Sequence, residues 1–303
     1  MNIALTGATG FVGRYQLAQL LDQGHHCRCW YRPASDRTAM PEDDRVEWIS
    51  GALGDVDSCH RLVDGCQAVV HTALQRSGVE FRGGEGDVVQ FAQQNLLGTL
   101  QLIEAARKSS VERFVFISTC AVHEKILDDR LLDEKHPTWP ITHYGAHKAA
   151  LENFVHSYGW GLGMPICALR PTGVYGATHP IQNSKWFKLV QAVVRGESVS
   201  CRRGGKEVHA ADVARATQLL LTSDGIAGEA FNCYDRYISE LDVATIAKRL
   251  ANSPSEIDGQ PLQPKHQIET SKIRALGMKF GGTEQLEQTV QEMIDAIGAS
   301  ERH

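Results

Sequence analysis

Residues 2–13 read NIALTGATGFVG, and this stretch decides the fold. An apolar run of strand length leads directly into Gly7, Gly10 and Gly13, and an amphipathic segment follows. In that order the glycines permit a tight turn, let a pyrophosphate approach the backbone and let a helix pack closely on the strand. Free N–H groups at the start of the helix face the anion. The stretch predicts a dinucleotide-binding turn; the alternative is a glycine-rich turn that binds nothing.

The pattern continues outward from this turn. Apolar runs alternate with amphipathic segments, which is typical of βαβ units and a parallel sheet. Strands are predicted at residues 2–6, 27–31, 46–49, 68–72, 113–118 and 166–170, and helices at 13–23, 59–63, 88–108 and 144–158. These elements predict an α/β fold with a doubly wound parallel sheet, a Rossmann domain over residues 1–171.

After Pro171 the pattern changes, because Gly, Pro, Asn and Thr become frequent and one continuous sheet no longer fits. We predict a smaller C-terminal, substrate-binding lobe from residues 172–207 and 236–303, with a helix at about 185–195. Residues 208–235 are predicted to return to the Rossmann domain through a helix at 212–221 and a strand at 231–233.

Composition excludes several other classes of protein. A formal net charge of -5 over 303 residues provides no basic field to attract nucleic acid or an anionic membrane. The eight cysteines are scattered and lack the CxxC spacing of a zinc site. No targeting segment and no run of roughly 20 apolar residues is visible. We therefore expect a cytoplasmic protein with reduced thiols, no metal and a small-molecule partner.

The end of the second predicted strand indicates which dinucleotide is bound. An acidic residue here usually accepts hydrogen bonds from a free ribose 2′-hydroxyl. This chain instead has Tyr31 and Arg32, with Arg37 close behind. A guanidinium favours a 2′-phosphate through charge-assisted hydrogen bonds. The sequence thus favours NADP(H) over NAD(H), although surface arginines often bind nothing.

Two residues four apart on a predicted helix suggest the chemistry. Tyr144 and Lys148 share one helix face, where an ammonium lowers the pKa of a neighbouring phenol. Thr119 follows a predicted strand, and the carboxyl ends of strands in such a sheet border the ligand crevice. Its hydroxyl could hold a reacting oxygen against Tyr144. Ser118 is the neighbouring candidate, which alternation would point the other way.

Further motifs extend along nearly the whole chain. They are VVHTA at 69–73, QNLLGTLQLIEAA at 94–106, FVFISTCAVH at 114–123, YGAHKAALE at 144–152, LRPTGVYG at 169–176 and HAADVA at 209–214. Together with TGATGFVG they resemble the extended short-chain dehydrogenase/reductases of the NAD-dependent epimerase/dehydratase family.

The resemblance implies site residues position by position. Thr119 would be the hydroxyl partner, Tyr144 the acid or base, Lys148 its electrostatic aid and Asn95 a brace for the site. Asn95 could instead cap a helix or lie in a polar part of the core. Pro171, which the resemblance places along the nicotinamide, could instead be an ordinary turn residue. The cofactor would contact Gly7, Ala8, Thr9, Gly10, Phe11, Val12, Gly13, Tyr31, Arg32, Arg37, Ala52, Leu53, Thr72, Ala73, Ser118, Lys148, Pro171 and Val174.

Departures from the family pattern narrow the reaction. Dehydratases of the family carry an Asp-Glu pair after the active-site Thr, whereas Cys120 and Ala121 stand here and neither is a carboxylic acid. Epimerases commonly clamp a diphosphate with two arginines, whose positions correspond to Gly205 and Gln260. Arg202, Arg203 and Lys206 are close enough in sequence to compensate. Ala52 replaces an acidic adenine contact that the family often has.

We therefore expect an NAD(P)-dependent oxidoreductase that reduces a carbonyl or oxidises an alcohol of a small molecule. A nucleotide-sugar epimerase with retained NAD is the first alternative. A non-catalytic protein that senses the dinucleotide is an alternative from another class. His71 and His123 flank the predicted crevice, and His147 stands where the family usually has a small residue before the catalytic lysine. A helix surface position explains His147 and a packing role explains His71 more readily than catalysis does. By resemblance, the helices at 88–108 and 144–158 would pair in a homodimer.

Overall fold

The computed structural model describes residues 1–76 and 84–300. Its strands, in chain order, are β1 (Asn2–Thr6), β2 (His26–Tyr31), β3 (Val46–Ser50), β4 (Ala68–His71), β5 (Arg113–Ile117), β6 (Ile166–Pro171), β7 (Gly173–Tyr175), β8 (Val199–Cys201), β9 (Gly204–His209), β10 (Ala230–Cys233), β11 (Arg236–Ser239) and β12 (Ile257–Gly259). Its α-helices are α1 (Phe11–Asp22), α2 (Val56–Val63), α3 (Val88–Ala92), α4 (Gly98–Lys108), α5 (His143–His156), α6 (Phe187–Val194), α7 (Ala210–Thr222), α8 (Glu240–Leu250), α9 (Ser271–Ala275) and α10 (Gly282–Ser300). Two π-helical turns, Gln93–Leu97 and Ser157–Gly161, and two 3-10 turns, Cys120–His123 and Ile181–Asn183, complete the elements.

Seven strands form one sheet in the order β10-β6-β5-β4-β1-β2-β3. Every neighbouring pair is parallel, and the strand order reverses between β1 and β4. The predicted doubly wound parallel sheet is therefore confirmed. In such a sheet ligands bind outside the carboxyl ends of the strands, at the point of reversal.

The chain divides into two compact units. The first comprises Met1–Pro171, Val213–Cys233 and Ile268–Met278, and the second comprises Thr172–Asp212, Tyr234–Gln267 and Lys279–His303. The boundary after Pro171 falls where the sequence pattern changes. The segment that returns to the first unit is Val213–Cys233, against the predicted 208–235, and Ile268–Met278 returns as well. Residues up to Asp212 stay in the second unit, in which β9 pairs with β7 and β11. Residues 268–278 join the first unit, where the Lys272 ammonium donates to the Ala230 carbonyl at 2.7 Å.

The first unit buries an apolar layer between its sheet and three helices. Leu62 on α2, Leu102 on α4 and Leu151 on α5 pack with Phe114 and Ile166 of the sheet. Each of these helices turns an apolar stripe to the sheet, and burial of such stripes stabilises the layer. Elsewhere in this unit the Gln16 side chain of α1 donates to the Thr217 hydroxyl of α7 at 2.9 Å.

The single helix predicted at 88–108 is interrupted, because the π-helical turn Gln93–Leu97 separates α3 from α4. The Asn95 side-chain amide donates to the Phe91 carbonyl at 3.0 Å. In an α-helix that carbonyl would accept from the N–H of residue 95. A side chain that competes for a backbone acceptor can disturb the regular ladder in this way. The sequence periodicity did not show this local change.

The second unit has two small sheets and its own core. Strand β9 pairs antiparallel with β11 and parallel with β7, and β12 pairs with β8. Tyr175, Phe187, Val243, Val290 and Met293 are buried together with the facing sides of α6, α8 and α10. A capping box of Ser239 and Asp242 begins α8.

Candidate active site

The turn after β1 has the geometry of a phosphate cradle. Gly7 has φ of +73°, and a Cβ there would lie 2.6 Å from the Thr72 hydroxyl oxygen and 2.8 Å from the Ala73 nitrogen. A Cβ on Gly13 would overlap the Gly7 carbonyl oxygen. The N-cap of α1 is Gly10, which has no side chain to accept from the first-turn amides. A surface of bare backbone and open N–H groups fits the pyrophosphate of a dinucleotide.

The end of β4 lies against this turn. The Thr72 hydroxyl donates to the Thr6 carbonyl, and the Ala73 amide donates to the Thr6 hydroxyl at 3.2 Å. Thr72 and Ala73 were both predicted as cofactor contacts, and the structure brings them beside Gly7. Ala8, by contrast, is completely buried, so its side chain is covered by protein.

The loop after β2 holds the predicted ribose-phosphate residues. Arg32 is exposed and its guanidinium donates to the Gln75 side chain, while the Arg37 guanidinium stacks 4.3 Å from the centre of the Tyr31 ring. Arg14 of α1 fixes the same loop by donating to the Thr38 carbonyl at 2.9 Å. Two guanidinium groups therefore stand at the tip of β2.

Helix α5 positions Tyr144 and Lys148. Its N-cap is Thr142, whose hydroxyl accepts from the Gly145 amide at 3.1 Å. The Glu85 carboxylate accepts from the Tyr144 amide at 3.1 Å, and a negative charge at a helix start is favourable. Tyr144 is therefore in the first turn of α5, with Lys148 one turn later. Neither capping contact was anticipated from sequence.

Lys148 is anchored on the end of β5. Its ammonium donates to the Ile117 carbonyl at 2.7 Å and lies 4.5 Å from the centre of the Phe116 ring. The side chain is buried, and burial lowers the pKa of Lys148 to about 7, against an opposing effect of the Glu152 carboxylate. Ile117 is followed by Ser118 and then by Thr119, which is 8% exposed and accepts from the Ala121 amide at 3.1 Å. Lys148 thus holds the strand end that carries Thr119.

Asn95 braces the segment that follows β4. Its side-chain oxygen accepts from the Gln75 amide at 2.7 Å, and its amide nitrogen donates to the Gln75 carbonyl at 2.8 Å. Because Gln75 also accepts from Arg32, a chain of contacts joins Arg32 to Asn95. The sequence gave no indication of Gln75 as the link.

A buried ion pair lies behind the strand end, and sequence reasoning missed it. The Arg170 guanidinium donates to the Glu152 carboxylate, with Nη2 to Oε2 at 2.7 Å. The Ser118 hydroxyl donates to the same carboxylate, and the Ser118 amide donates to the Leu169 carbonyl at 2.7 Å. The Ser118 hydroxyl hydrogen and amide are therefore both used within the protein. One signal was available: Glu152 follows Lys148 by one helical turn and stands next to the apolar Leu151.

His71, His123 and His147 are all packed into the protein, so the surface position predicted for His147 is wrong. The His71 ring contacts the hydroxyls of Thr6 at 2.6 Å and Thr99 at 2.9 Å. His147 lies between the rings of Phe91 and Tyr144, at 4.8 and 5.5 Å. Burial lowers the pKa of each of His71, His123 and His147 to about 3, so all three are neutral near pH 7.

Among the remaining predicted positions, Pro171 lies near Thr119, because Ile117 on β5 pairs with Leu169 on β6. Pro171 ends β6 in the first unit, whereas Val174 belongs to the second unit and pairs with Val208. Leu53 packs against the buried core of the first unit, and the Ala52 carbonyl accepts from the Ser58 hydroxyl at 3.5 Å. Phe11 makes an edge contact with the Tyr15 ring at 5.8 Å.

No group of three or more His, Cys, Asp or Glu side chains among the described residues is arranged to hold a metal ion. No helix in residues 1–76 and 84–300 is both long and apolar enough to cross a membrane.

Comparison with known proteins identifies related sequences. The model of the NAD dependent epimerase/dehydratase family matches residues 3–233. A 3 beta-hydroxysteroid dehydrogenase/Delta 5-->4-isomerase of Mycobacterium tuberculosis is 30% identical over 204 residues, covering 64% of this chain. The match spans about half of that relative, 52% of its length. A dTDP-D-glucose 4,6-dehydratase of Mus musculus is 30% identical over 311 residues, covering 92% of this chain and 84% of that protein.

Solved structures share the fold. The UDP-glucose 4-epimerase of Thermotoga maritima, solved with UDP-glucose, superimposes with a TM-score of 0.80 at 22% identity. The superposition covers 98% of this chain and all of the epimerase. The family model that matches residues 3–233 confirms the predicted family resemblance.

Proposed function

The chain belongs to the NAD dependent epimerase/dehydratase family, and we propose that it is an NAD(P)-dependent oxidoreductase acting on a carbonyl or alcohol of a small molecule. The observation that carries the proposal is the buried Lys148 ammonium, 2.7 Å from the Ile117 carbonyl at the strand end that leads to Thr119. Tyr144 precedes Lys148 by one helical turn on α5. This set provides a proton donor, a cation that tunes it and a hydroxyl that orients the substrate.

The roles follow from the chemistry of each side chain. A bound nicotinamide dinucleotide supplies or accepts the hydride. Tyr144 gives a proton to the substrate oxygen during reduction and takes it back during oxidation. Lys148, when charged, stabilises the phenolate and lowers the pKa of the phenol toward neutrality. Thr119 accepts from Ala121, so its hydroxyl hydrogen can donate to the reacting oxygen.

The substitution Tyr144→Phe tests this mechanism. Turnover should be lost while the dinucleotide still binds, because the phenol acts in proton transfer and not in the phosphate cradle. A screen of carbonyl compounds that follows reduced-nicotinamide absorbance would supply the substrate for this assay. Tyr158→Phe is the matched control, since that hydroxyl donates to Glu104 at 2.7 Å and has no role in the proposed reaction. Full activity of the Tyr144 variant would contradict the mechanism.

We further propose that NADP(H) is preferred to NAD(H). Arg32 and Arg37 at the tip of β2 support this preference, because guanidinium groups bind phosphate by charge-assisted hydrogen bonds. Arg32→Ala should weaken NADP(H) binding about 10- to 100-fold, equivalent to about 1.5–3 kcal/mol, and leave NAD(H) binding unchanged. Arg28→Ala is the control, since Arg28 is paired with Glu47 on the neighbouring strand. Tighter binding of NAD(H) by the unmodified protein would contradict the preference.

The epimerase hypothesis is weakened by the second unit. Its basic residues Arg202 and Arg203 are paired with the carboxylates of Asp258 and Glu240. These exposed ion pairs contribute little and do not exclude binding of a diphosphate, so the weakening rests on Gly205 and Gln260, which carry no positive charge. Net consumption of cofactor supports the oxidoreductase, whereas tightly retained NAD(H) without net consumption supports the epimerase. Dinucleotide binding without any turnover would instead indicate the sensing protein.

We also propose that the second unit binds the substrate, that the protein is cytoplasmic and that it forms a homodimer. All eight cysteines are free thiols. Exposed apolar side chains lie on the segments predicted to pair: Val89 is 62% exposed, Leu97 51% and Phe154 40%. Sedimentation of the protein and of a Val89→Glu/Leu97→Glu variant tests the dimer, which the two charges should dissociate.

A further inference from the structure

Three consecutive residues at the end of β5 are held by different side chains and backbone groups. The Ile117 carbonyl accepts from the Lys148 ammonium, and the Ser118 hydroxyl donates to the Glu152 carboxylate. The Thr119 hydroxyl accepts from the Ala121 amide. Lys148 and Glu152 are one turn apart on α5, so a single helix face fixes two of these three residues.

The Glu152 carboxylate is itself immobilised by Arg170. The Arg170 Nε lies 3.1 Å from Oε1 and 3.0 Å from Oε2 of Glu152, and Nη2 is 2.7 Å from Oε2. Arg170 is held in turn by the His123 ring nitrogen at 3.0 Å and the Glu134 carbonyl at 3.2 Å. Both charged side chains are 2% exposed, so no solvent screens the carboxylate from its neighbours.

We propose that Glu152 is a positioning residue that places a negative charge behind Lys148 and fixes the strand end that carries Thr119. The inference rests on the proposed function, in which Tyr144, Lys148 and Thr119 act together. Glu152 accepts a hydrogen bond from Ser118 and acts electrostatically on Lys148. In the proposed reaction it does not touch the reacting atoms itself.

The other groups near Lys148 do not supply a compensating negative charge. His147 from α5 and His71 from β4 are neutral because burial lowers the pKa of each to about 3. Phe116 from β5 presents a ring face to the ammonium. Arg170 from β6 is cationic and shares the same carboxylate. Within the described part of the chain, Glu152 opposes the effect of burial on the Lys148 pKa.

Loss of the Glu152 charge therefore has a defined consequence. Burial would lower the pKa of Lys148 below its present value of about 7, and the lysine would be neutral near pH 7. A neutral lysine no longer stabilises the phenolate, so the pKa of Tyr144 should rise. A purely structural glutamate, whose loss only loosened packing, would not shift that pKa in this direction.

The test is a titration of the free protein that needs no substrate. Tyrosinate absorbance is followed against pH for the unmodified protein and for Glu152→Gln, each compared with the same chain carrying Tyr144→Phe. The difference isolates Tyr144. Glu152→Gln should raise its pKa by about 1 unit, the effect of one nearby charge. Glu104→Gln is the matched control, because Glu104 is also paired with an arginine but lies at the surface, and it should cause no shift.

Two further variants keep the proposal falsifiable. Since Glu152→Gln leaves Arg170 buried without a carboxylate and could unfold the chain, E152M/R170M removes both charges together. It should show a smaller shift in the same direction, because the Arg170 cation is removed as well. Lys148→Met removes the cation itself. A shift with Lys148→Met but not with either Glu152 variant overturns the role of Glu152 and leaves the proposed function intact. No shift with Lys148→Met overturns the lysine-assisted phenol, and the inference about Glu152 with it.

Discussion

Arg170 and Glu152 form an ion pair in which both charged side chains are 2% exposed and Nη2 lies 2.7 Å from Oε2. Arg170 ends the buried strand β6 with Pro171, and Glu152 lies on α5. The pair thus joins a central helix to the sheet at the edge where Thr119 and Lys148 are found. Removing two ions from water is costly, and good geometry with further hydrogen bonds is needed to offset that cost.

Breaking this pair should destabilise the protein far more than replacing it. Arg170→Met leaves a buried carboxylate without its cation, and we expect the free energy of unfolding to fall by about 3–5 kcal/mol. The double variant E152M/R170M removes both charges and should recover most of that loss. Urea denaturation of the three proteins measures the effect. Equal destabilisation by the single and double variants would show that the charges themselves are not responsible.

The glycine turn should tolerate no side chain at position 13. Gly13→Ala places a Cβ on the Gly7 carbonyl oxygen, so α1 must move away from β1. We expect a loss of about 1–3 kcal/mol in stability and much weaker dinucleotide binding. Gly298→Ala is the control, because Gly298 is also helical but has open space around it. That substitution should raise stability by about 0.5–1 kcal/mol.

Lys148 should make stability increase with pH. Its pKa is about 7 in the folded protein and 10.5 ordinarily, so between these values the unfolded chain binds a proton that the folded chain does not. Raising the pH then favours folding by about 1.4 kcal/mol per unit. The difference in unfolding free energy, unmodified protein minus Lys148→Met, should rise with this slope from pH 7 to 10. A difference that stays constant with pH contradicts the lowered pKa.

His147 should contribute to acid unfolding. The folded protein holds its pKa at about 3, against 6.5 ordinarily, so below pH 6.5 the unfolded chain takes up a proton first. Stability is therefore lost as pH falls, by about 1.4 kcal/mol per unit for this residue. His147→Leu should lose less stability than the unmodified protein between pH 6 and 4. His143→Leu, at an exposed position of α5, is the comparison and should follow the unmodified protein.

Much of the first unit could be predicted because its signals are local. The run from Asn2 to Gly13 specifies a strand, a turn and a helix within a few residues, and the same alternation marks β2 to β6. The contribution of residues 268–278 could not be predicted, since it depends on contacts such as Lys272 with Ala230 across the sequence. In the second unit β7, β8 and β12 are three residues long, too short to show a periodicity of two.

The candidate site was predictable where spacing carries the information. Tyr144 and Lys148 are four apart, and Thr119 follows β5, so these residues could be proposed from sequence and resemblance. The burial of Lys148, which lowers its pKa, and its hydrogen bond to the Ile117 carbonyl depend on how α5 packs and leave no mark in the sequence. The same holds for Gln75, whose backbone and not its side chain binds Asn95.

Strand β10 is synthesised well after β6, the strand with which it pairs. It begins at Ala230 and pairs with β6, which ends at Pro171 and is buried along its whole length. The ribosome therefore releases β6 before the strand that covers its outer edge, and at ordinary elongation rates the interval lasts on the order of several seconds. During that time the nascent chain presents an apolar edge that can pair with another chain. When many ribosomes translate one message at the same time, nascent chains should therefore tend to aggregate, even though β10 covers this edge in the complete protein.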